Sequence, residues 1–561
     1  MLFTGITTEK SVDLLKRRIM KDETLYGEVL RIRKKLTDPK RHTTPFGIYS
    51  PYIGGARKMP TNAELLFLYK ELIEKGEETE SAEVLDILRK LKVRSDSGVA
   101  VVSLLTKPYA CPGRCIYCPT EKGMPKSYLS KEPAAARAQM NHFDPYKQVT
   151  TRLEALSMNG HPIDKVEMIL IGGTWSFYKP DYQDEFVSEC FRACNNFGLP
   201  EDLKKKKGEN TLPELQKENE TAKVRLIGLS IETRPDYINE EELANLRRLG
   251  VTKVEIGVQH LDQKVLDLNR RNMDRETIIK ATELMRSVGL KVVYHMMPNL
   301  PGSTPEMDVA MFEELFSGPD FQPDMLKVYP CVVLRKSLLY KIWARGGYKP
   351  YTDTELIETL AKCEEKIPAY VRVIRMIRDI PATYIIASSK KSNMRQMVDE
   401  YQKKRGFVQR EIRAREVRGA VINPADYELS VIEYETGSGK EVFLSFDDDK
   451  ENRLAAFLRL RLPSASAGRP LNFEFKAEEL KPLRGAAIVR ELHTYGKLIP
   501  LDEKGTQSQH MGFGRRLLQE AEKRAKAAGF GKVAIISGVG AREYYRKNGY
   551  ELEGTYMVKK I

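Results

Sequence analysis

Three cysteines, Cys111, Cys115 and Cys118, stand close together in the segment Ala110-CPGRCIYC-Pro119. Their C-x3-C-x2-C spacing can supply three thiolates to a cubane iron–sulfur cluster, which ordinarily takes four. The missing ligand is informative, because one iron stays open to a small molecule and the site becomes reactive rather than only electron-carrying. Half a zinc site is one alternative, but zinc takes four ligands and no nearby C-x2-C or His pair completes the set. A disulfide framework is another, yet the 7 cysteines of this chain are sparse and odd in number. Cys190 and Cys194, four apart on a helix-like stretch, read as core residues. Cys331 and Cys363 read as isolated buried thiols.

The triplet follows the apolar run Gly98-VAVVSLL-Thr106, on a loop after a buried strand, where α/β barrels place their chemistry. From Gly98 onward, β-branched runs alternate with helix-length amphipathic stretches. Strands are expected at Val99–Leu105, Val166–Ile171, Val224–Ile231, Lys253–Val258, Lys291–Met296 and Met325–Tyr329. Between them lie helix patterns such as Asn239-EEELANLRRL-Gly250 and Asp274-RETIIKATELMRSV-Gly289, each closed by a glycine stop. Repeated βα units of this length predict an α/β fold, a parallel (β/α) barrel or part-barrel. The charged stretch Lys204–Lys223 reads as an insertion in a connection.

Polar and glycine-rich motifs cluster where these strands end: Gly172-GT-Trp175, Ser230-IETR-Pro235, Gln259-His260, Pro298-NLP-Gly302, and Lys327 with Tyr329. Each alone reads as a turn. At successive ends of parallel strands they face one mouth together with the cysteine loop.

Beyond about Arg410 the pattern changes. Arg413-AREVRG, Leu471-NFEFKAEE and Ala486-AIVRELHTYG read as strands. Gln509-HMGFGRRLLQEAEKRAKAAG then opens an amphipathic helix at Gly512 and Gly514, with Leu517, Leu518 and Ala521 on its apolar stripe. Glycines at a helix N-terminus bare backbone N–H groups and suit a pyrophosphate. A strand at Lys532-VAIISG, the stretch Ala541-REYYRKNGY and a last strand around Glu551–Val558 follow.

A chain of 561 residues exceeds one core. With 41% hydrophobic and 30% charged residues it is globular rather than a disordered scaffold. No apolar run reaches the roughly 18 residues that span a bilayer, and the start MLFTGITTEK lacks a signal-peptide layout. A cytoplasmic setting is expected. The net charge of +14 points to a polyanionic partner. Arg31, Arg33, Lys34, Lys35, Lys40 and Arg41 form a basic N-terminal arm, interleaved further on with Phe46, Tyr49 and Tyr52 that could stack on bases. A solvated basic arm explains that segment almost as well.

The cysteine triplet followed by GGTW, SIETRP, EIGVQ and PNLPG resembles the radical S-adenosylmethionine (SAM) enzymes, and within them the tRNA wobble-uridine carboxymethyltransferases of the Elongator catalytic family. The Q-x-x-G-x-G helix, strand and YYRKNGY order resembles a GNAT acetyltransferase domain. The resemblance implies a [4Fe-4S] cluster on Cys111, Cys115 and Cys118 whose open iron chelates SAM, with one-electron reduction giving a 5′-deoxyadenosyl radical. Gly172, Gly173 and Thr174 match the motif that contacts the methionine amino group, and Glu232 and Gln259 fall on the ribose and adenine side. Lys327 and Tyr329 would lie near the radical's target. The stretch Gln509, Met511, Gly512, Phe513, Gly514 and Arg515 would hold acetyl-CoA, with Tyr544 and Tyr545 near the thioester, where a phenol could protonate a departing thiolate. The family often carries a zinc set between the modules; here Cys331 and Cys363 have no evident partners for one.

The implied organisation is a basic tRNA-binding segment over 1–95, a radical SAM partial barrel over 96–385, a linker over 386–410 and a GNAT domain over 411–561. The implied activity is formation of 5-carboxymethyluridine at the wobble position of tRNA from acetyl-CoA. Partners would be tRNA through its anticodon loop, an electron donor, and either a second copy or accessory subunits, with no membrane. One rival is a protein lysine acetyltransferase with a structural cluster; another is a tRNA-binding scaffold with both sites vestigial. Neither rival uses both modules.

Overall fold

The computed structural model describes residues 98–417, 423–464, 475–495 and 512–561, with a few positions between 52 and 80. The basic-arm residues Arg31, Arg33, Lys34, Lys35, Lys40 and Arg41, and Gln509 and Met511, lie outside the described residues. The chain divides into two compact units, Met1–Ser95 with Leu153–Ile163, and Asp96–Arg152 with Asp164–Ile561. In the first, Tyr52–Ile53 pairs antiparallel with Ala56–Arg57.

The second unit begins with seven parallel strands in strict chain order: β1 (Ala100–Leu105), β2 (Lys165–Ile171), β3 (Arg225–Thr233), β4 (Lys253–Gln259), β5 (Lys291–Met296), β6 (Met325–Val328) and β7 (Arg372–Arg375). The first six are those the apolar runs predict. β7 escaped notice because four residues, RVIR, begin and end in charge. The first and last strands do not pair, so the sheet is an open half-barrel.

Helix boundaries follow local chemistry. Asn239 accepts from Glu242 N at 2.9 Å to start the helix Glu240–Arg248, and Asp274 accepts from Thr277 N at 2.7 Å to start Arg275–Ser287. Each such cap is worth about 1 kcal/mol. Gly250 and Gly289 turn left-handed, at φ 89° and 81°, just past the two helix ends. The charged insertion folds into the helix Leu212–Asn219 behind a Thr211–Glu214 capping box. Its Asn219 is fully buried and accepts from Leu226 N at 2.8 Å, tying the insertion to β3.

Strand faces divide sharply. Val166, Met168 and Leu170 of β2 are buried on one face, whereas Glu167 on the other pairs with Lys253 of β4, two strands away. Lys327 of β6 similarly reaches Glu232 of β3 at 3.4 Å. Side chains from strands that are not neighbours can meet only on the concave face, so the interior of this half-barrel is charged.

The C-terminal part forms a second seven-stranded sheet from β8 (Glu428–Thr436), β9 (Gly439–Asp448), β10 (Arg453–Pro463), β11 (Ala486–Thr494), β12 (Lys532–Ile535), β13 (Glu551–Glu553) and β14 (Tyr556–Lys560). Their order is β8-β9-β10-β11-β12-β14-β13, antiparallel except for the parallel pair β11–β12. Three expectations change here. Arg413 lies in a short helix, Ile412–Arg415, capped by Glu411, rather than in a strand. Of the stretch from Leu471, residues 471–474 lie outside the described residues, and Glu478–Leu483 is a 3-10 helix. The last strand is a hairpin of two, because Gly554, at φ 55°, turns the chain between β13 and β14. Residues 386–410, read as a linker, carry the helix Met394–Lys404, where Gln402 donates to Ala361 O at 3.0 Å.

The two sheets meet at the N-terminal ends of the barrel strands. A Cβ on Gly538 would stand 2.0 Å from Ile227 O and one on Gly540 2.6 Å from Arg225 Cβ, so only glycines let this loop lie on β3. Tyr556 donates to Val288 O at 2.8 Å. Beside these contacts Asp324, fully buried, takes Arg490 at 2.9 Å and Val292 N at 2.8 Å. Burial works to raise the Asp324 pKa, but the Arg490 and Arg459 guanidiniums override it and hold the carboxyl below its ordinary range.

Candidate functional site

The cysteine loop leaves β1 and is clamped by its backbone: Ile116 N donates to Asn269 O at 3.2 Å and Leu339 N to Ile116 O at 2.8 Å. Ile116 and Tyr117 pack with Val265, Leu300 and Leu339 in one apolar cluster. A Cβ on Gly113 would lie 3.5 Å from Cys111 Sγ, 3.9 Å from Cys115 Sγ and 3.1 Å from Arg234 Nη1, so the two sulfurs and a guanidinium converge on this glycine. Burial and the neighbouring Cys115 thiol push Cys118 up to about 11. All three cysteines are unpaired thiols.

The donor set fits a multi-iron cluster better than a single ion. Among the described residues, no cysteine belongs to a group of three or more ligating side chains whose ligand atoms gather within 4.8 Å of one another. One tetrahedral zinc would draw its sulfurs closer than that, whereas a cluster seats each thiolate on its own iron. Arg271 and Arg234 face the loop. Arg271, buried, approaches Cys115 Sγ at 3.7 Å. Arg234 is buried and held by Asp236 at 2.8 Å, and its Nη1 has no hydrogen-bond partner among the described residues. Neither arginine stands out in the sequence as a site residue, although Arg234 lies inside the SIETRP motif.

The GGT turn after β2 lies beside the loop. Gly172 has φ 129° and Gly173 φ 69°. A Cβ on Gly172 would meet Thr106 Oγ1 at 2.2 Å. Thr106 is buried and bonds Gly172 O at 3.2 Å and Tyr178 OH at 2.8 Å. Thr174 then brings its hydroxyl to 3.6 Å from Cys111 Sγ. Gln259 ends β4 in a left-handed conformation at φ 76°, with its Oε1 buried and, among the described residues, unpartnered. A Cβ on Gly257 would lie 2.7 Å from Gln259 Nε2 and 3.1 Å from Arg271 Nη2, which places Gln259 beside the guanidinium that faces Cys115.

Below the mouth stands a buried charge network. Lys327 pairs with Glu255 and lies 3.4 Å from Glu232. His295 Nε2 is 2.9 Å from Glu255 Oε2, Ser230 donates to Glu255 at 3.2 Å, and Tyr128 donates to Glu232 at 2.6 Å. Tyr329 meets the His295 ring edge-on at 5.5 Å. Burial alone would strip the charge from Lys327; Glu255, Tyr329 and Glu232 reverse that and hold its pKa above the ordinary lysine range. Glu232, Glu255 and His295 could together ligate a cation, and the Lys327 ammonium takes that place. The predicted Lys327, Tyr329 and Glu232 thus share one network. Glu255 and His295 were missed, although Glu255 opens the EIGVQ motif and both alternate inward on β4 and β5.

In the C-terminal sheet, β11 and β12 stay paired from Ala486–Lys532 to Val489–Ile535, and the described sheet pairs no residue of β11 beyond Val489 with β12. The helix Phe513–Ala527 follows, with Gly512 as a left-handed N-cap at φ 73°. A Cβ on Gly514 would lie 2.6 Å from Tyr544 OH and 3.6 Å from Thr494 Cγ2, so the tyrosine hydroxyl, the end of β11 and the helix start converge. Arg515 is exposed in that first turn. The Phe513 side chain is buried on Phe446, ring centroids 4.5 Å apart. Tyr545 is buried between Tyr544 and Tyr550. Cys331 and Cys363 are buried and, among the described residues, belong to no ligating group.

Residues 105–315 match the Radical SAM superfamily and 323–404 the Radical_SAM C-terminal domain. The chain is 43% identical over 506 residues to the tRNA uridine(34) acetyltransferase of Methanocaldococcus infernus, covering 88% of this chain and 91% of that one. It is 37% identical over 498 residues to Elongator complex protein 3 of Homo sapiens, covering 85% and 87%. The solved structure of the archaeal Methanocaldococcus infernus Elp3 with an N-terminal deletion superposes with a TM-score of 0.70 at 40% identity, over 83% of this chain and 100% of that chain. The superfamily implies a [4Fe-4S] cluster and SAM. With this identity over most of both chains, the protein belongs to the family of tRNA uridine(34) acetyltransferases and Elongator complex protein 3 and is a radical SAM enzyme.

Proposed function

We propose that this enzyme modifies the wobble uridine of tRNA, joining the acetyl methyl carbon of acetyl-CoA to C5 of the uracil, with a hydrogen atom lost from the methyl and a proton and an electron lost from C5, and leaving 5-carboxymethyluridine after thioester hydrolysis. The observation that carries the reading is that one compact unit holds both a three-thiol loop at a barrel mouth and a second sheet whose β11 runs on past its pairing with β12, beside a glycine-capped helix. The names of the relatives, which act on tRNA uridine 34, support the substrate.

Cys111, Cys115 and Cys118 would hold the cluster, and Gly172, Gly173 and Thr174 the amino end of SAM, with Gln259 and Glu232 toward its nucleoside. The bound pair supplies one-electron chemistry able to break a C–H bond that no base in the site could ionise. Lys327, kept cationic by Glu255 and Glu232, would donate to a uracil carbonyl, and Tyr329 would line the same pocket. A uracil must leave its base stack to reach this depth.

We read the C-terminal sheet as a GNAT-type module spanning 411–561 and the half-barrel as spanning 96–385. The backbone N–H groups around Gly512 and Gly514, with Arg515, Gln509 and Met511, would bind the CoA pyrophosphate. Tyr544 would protonate the departing CoA thiolate. The basic arm within 1–95 would grip the tRNA backbone. An electron donor and accessory subunits complete the reading, in a reducing cytoplasm.

The test is anaerobic incubation of the reduced enzyme with tRNA, SAM and acetyl-CoA, followed by nucleoside mass spectrometry. Product is expected only with all three present, and none from Cys118→Ser. Modified uridine from Cys118→Ser would overturn the reading, and SAM-independent acetylation of protein lysine would replace it with the lysine acetyltransferase alternative.

A further inference from the structure

The rim beside the cysteine loop carries an aromatic shelf that neither the thiols nor the charge network uses. Tyr109, two residues before Cys111, stacks on Tyr178 with centroids 4.8 Å apart and 26° between planes. Tyr178 in turn stacks on Tyr182 at 5.1 Å. Phe177 leans on Tyr109 at 5.9 Å and meets Tyr237 edge-on at 6.0 Å. Tyr178 is buried, yet Tyr109 at the end of the stack is 37% exposed.

The shelf is rigid for a reason. Tyr178 donates its hydroxyl to Lys107 O at 2.8 Å, and Lys107 N donates to Tyr182 OH at 3.0 Å. Both backbone groups of Lys107 are thus held by the aromatic stack, so Tyr109 stays in place without a ligand. The surroundings are cationic. Lys107 is exposed with its ammonium 4.3 Å from the Tyr182 centroid, and Arg114 and Lys179 are exposed nearby in the chain. Of the acids close in sequence, Asp236 is neutralised by Arg234 at 2.8 Å, and Asp181 is exposed. Open aromatic faces set among cations are how proteins hold unpaired nucleotides.

We infer that Tyr109 and Phe177 stack the unpaired bases that flank the target uridine once it enters the mouth. The inference rests on the tRNA reading above and adds what that reading lacks, a place for the neighbours of an unstacked base. A flipped nucleotide leaves its neighbours without stacking partners, and a preformed aromatic rim replaces them.

The experiment measures binding of an anticodon stem-loop RNA with a wobble uridine to the full chain, at several salt concentrations, for Tyr109→Ala, Phe177→Ala, Tyr109→Leu and Tyr109→Phe. Stacking on an aromatic ring predicts a loss of roughly five- to a hundredfold for the alanine variants. Tyr109→Leu, which keeps apolar packing on Tyr178, should weaken binding too, whereas Tyr109→Phe should match the parent. The slope of log Kd against log salt should stay unchanged in all four, because no charge is removed. A fully paired RNA hairpin of the same stem should bind every variant equally. Iron content per chain, equal in every variant, reports intact folding of the loop. Unchanged stem-loop affinity in the Tyr109→Ala, Phe177→Ala double variant overturns the shelf. So does a loss of SAM affinity without RNA, which would assign these rings to the cofactor. If the parent chain itself binds no stem-loop RNA, the tRNA reading falls, and that outcome is separate.

Discussion

Gly172→Ala is the sharpest local test of how the turn after β2 is built. At φ 129° the backbone lies where L side chains are rarely found, a strain of about 1–3 kcal/mol. The added Cβ would also stand 2.2 Å from Thr106 Oγ1 and 3.3 Å from Thr106 N. The hydroxyl could escape only by giving up its one donated hydrogen bond, shared between Gly172 O and Tyr178 OH, at about 1 kcal/mol. The sum is about 2–4 kcal/mol, enough to move the turn that sets Thr174 beside Cys111. Trp175, buried and next in the chain to Thr174, is a fluorescent reporter of this change. Urea unfolding of the metal-free protein followed at Trp175 should show the destabilisation, and SAM affinity of the cluster-loaded protein should fall with it. Adding Thr106→Ala should recover part of the loss by removing the hydroxyl clash, leaving the strain. A Gly172→Ala variant within about 0.5 kcal/mol of the parent, with unaltered SAM affinity, would refute the reasoning.

Three further outcomes are expected. Asp324→Asn leaves Arg490 and Arg459 buried with a lost counter-charge and should cost about 3–5 kcal/mol, read as a lowered urea midpoint; an unchanged midpoint would show the network is dispensable. His493, stacked on Phe457, is lowered to about 4 by burial and then by the nearby Arg372. Its folded pKa lies below its unfolded value of about 6.5, so the stability it confers is complete above that pH and fades as pH falls toward 4, by roughly 3 kcal/mol. His493→Gln should flatten that limb of the stability–pH curve, and an identical curve would count against the assignment. Tyr544→Phe should slow product formation by tens of fold or more if the phenol donates a proton, with CoA affinity kept, while Tyr545→Phe should leave the rate nearly unchanged; equal effects would remove the distinction.

Much of the architecture can be read from local pattern. β1 to β6 are apolar runs, their helices begin at Asn239 and Asp274 and end at Gly250 and Gly289, and the cysteine spacing marks its own chemistry. The charged interior cannot be read this way. Glu167, Lys253, Glu255 and Lys327 recur at alternate positions, as solvent-facing residues of a strand do, and only curvature of the sheet brings them together. β8 to β10 stayed hidden for a related reason: Arg459, Arg461 and Glu441 look like surface residues, yet Arg461 bonds Glu441 at 2.7 Å in the interior. Local propensity also misled at Arg413, where Glu411 caps one helical turn in a segment that reads as extended. The two tyrosines Tyr544 and Tyr545 are equivalent in sequence, and packing alone sets one over Gly514 and buries its neighbour.

The central claim is that the acetyl group of acetyl-CoA ends on the wobble uridine. Acetyl-CoA labelled with carbon-13 at both acetyl carbons, supplied anaerobically with SAM, reductant and tRNA, tests it directly by nucleoside mass spectrometry. The account predicts that both labelled carbons appear in a carboxymethyl group on the uracil ring. A modified uridine without label, or label found only in free acetate or on protein lysine, would contradict it.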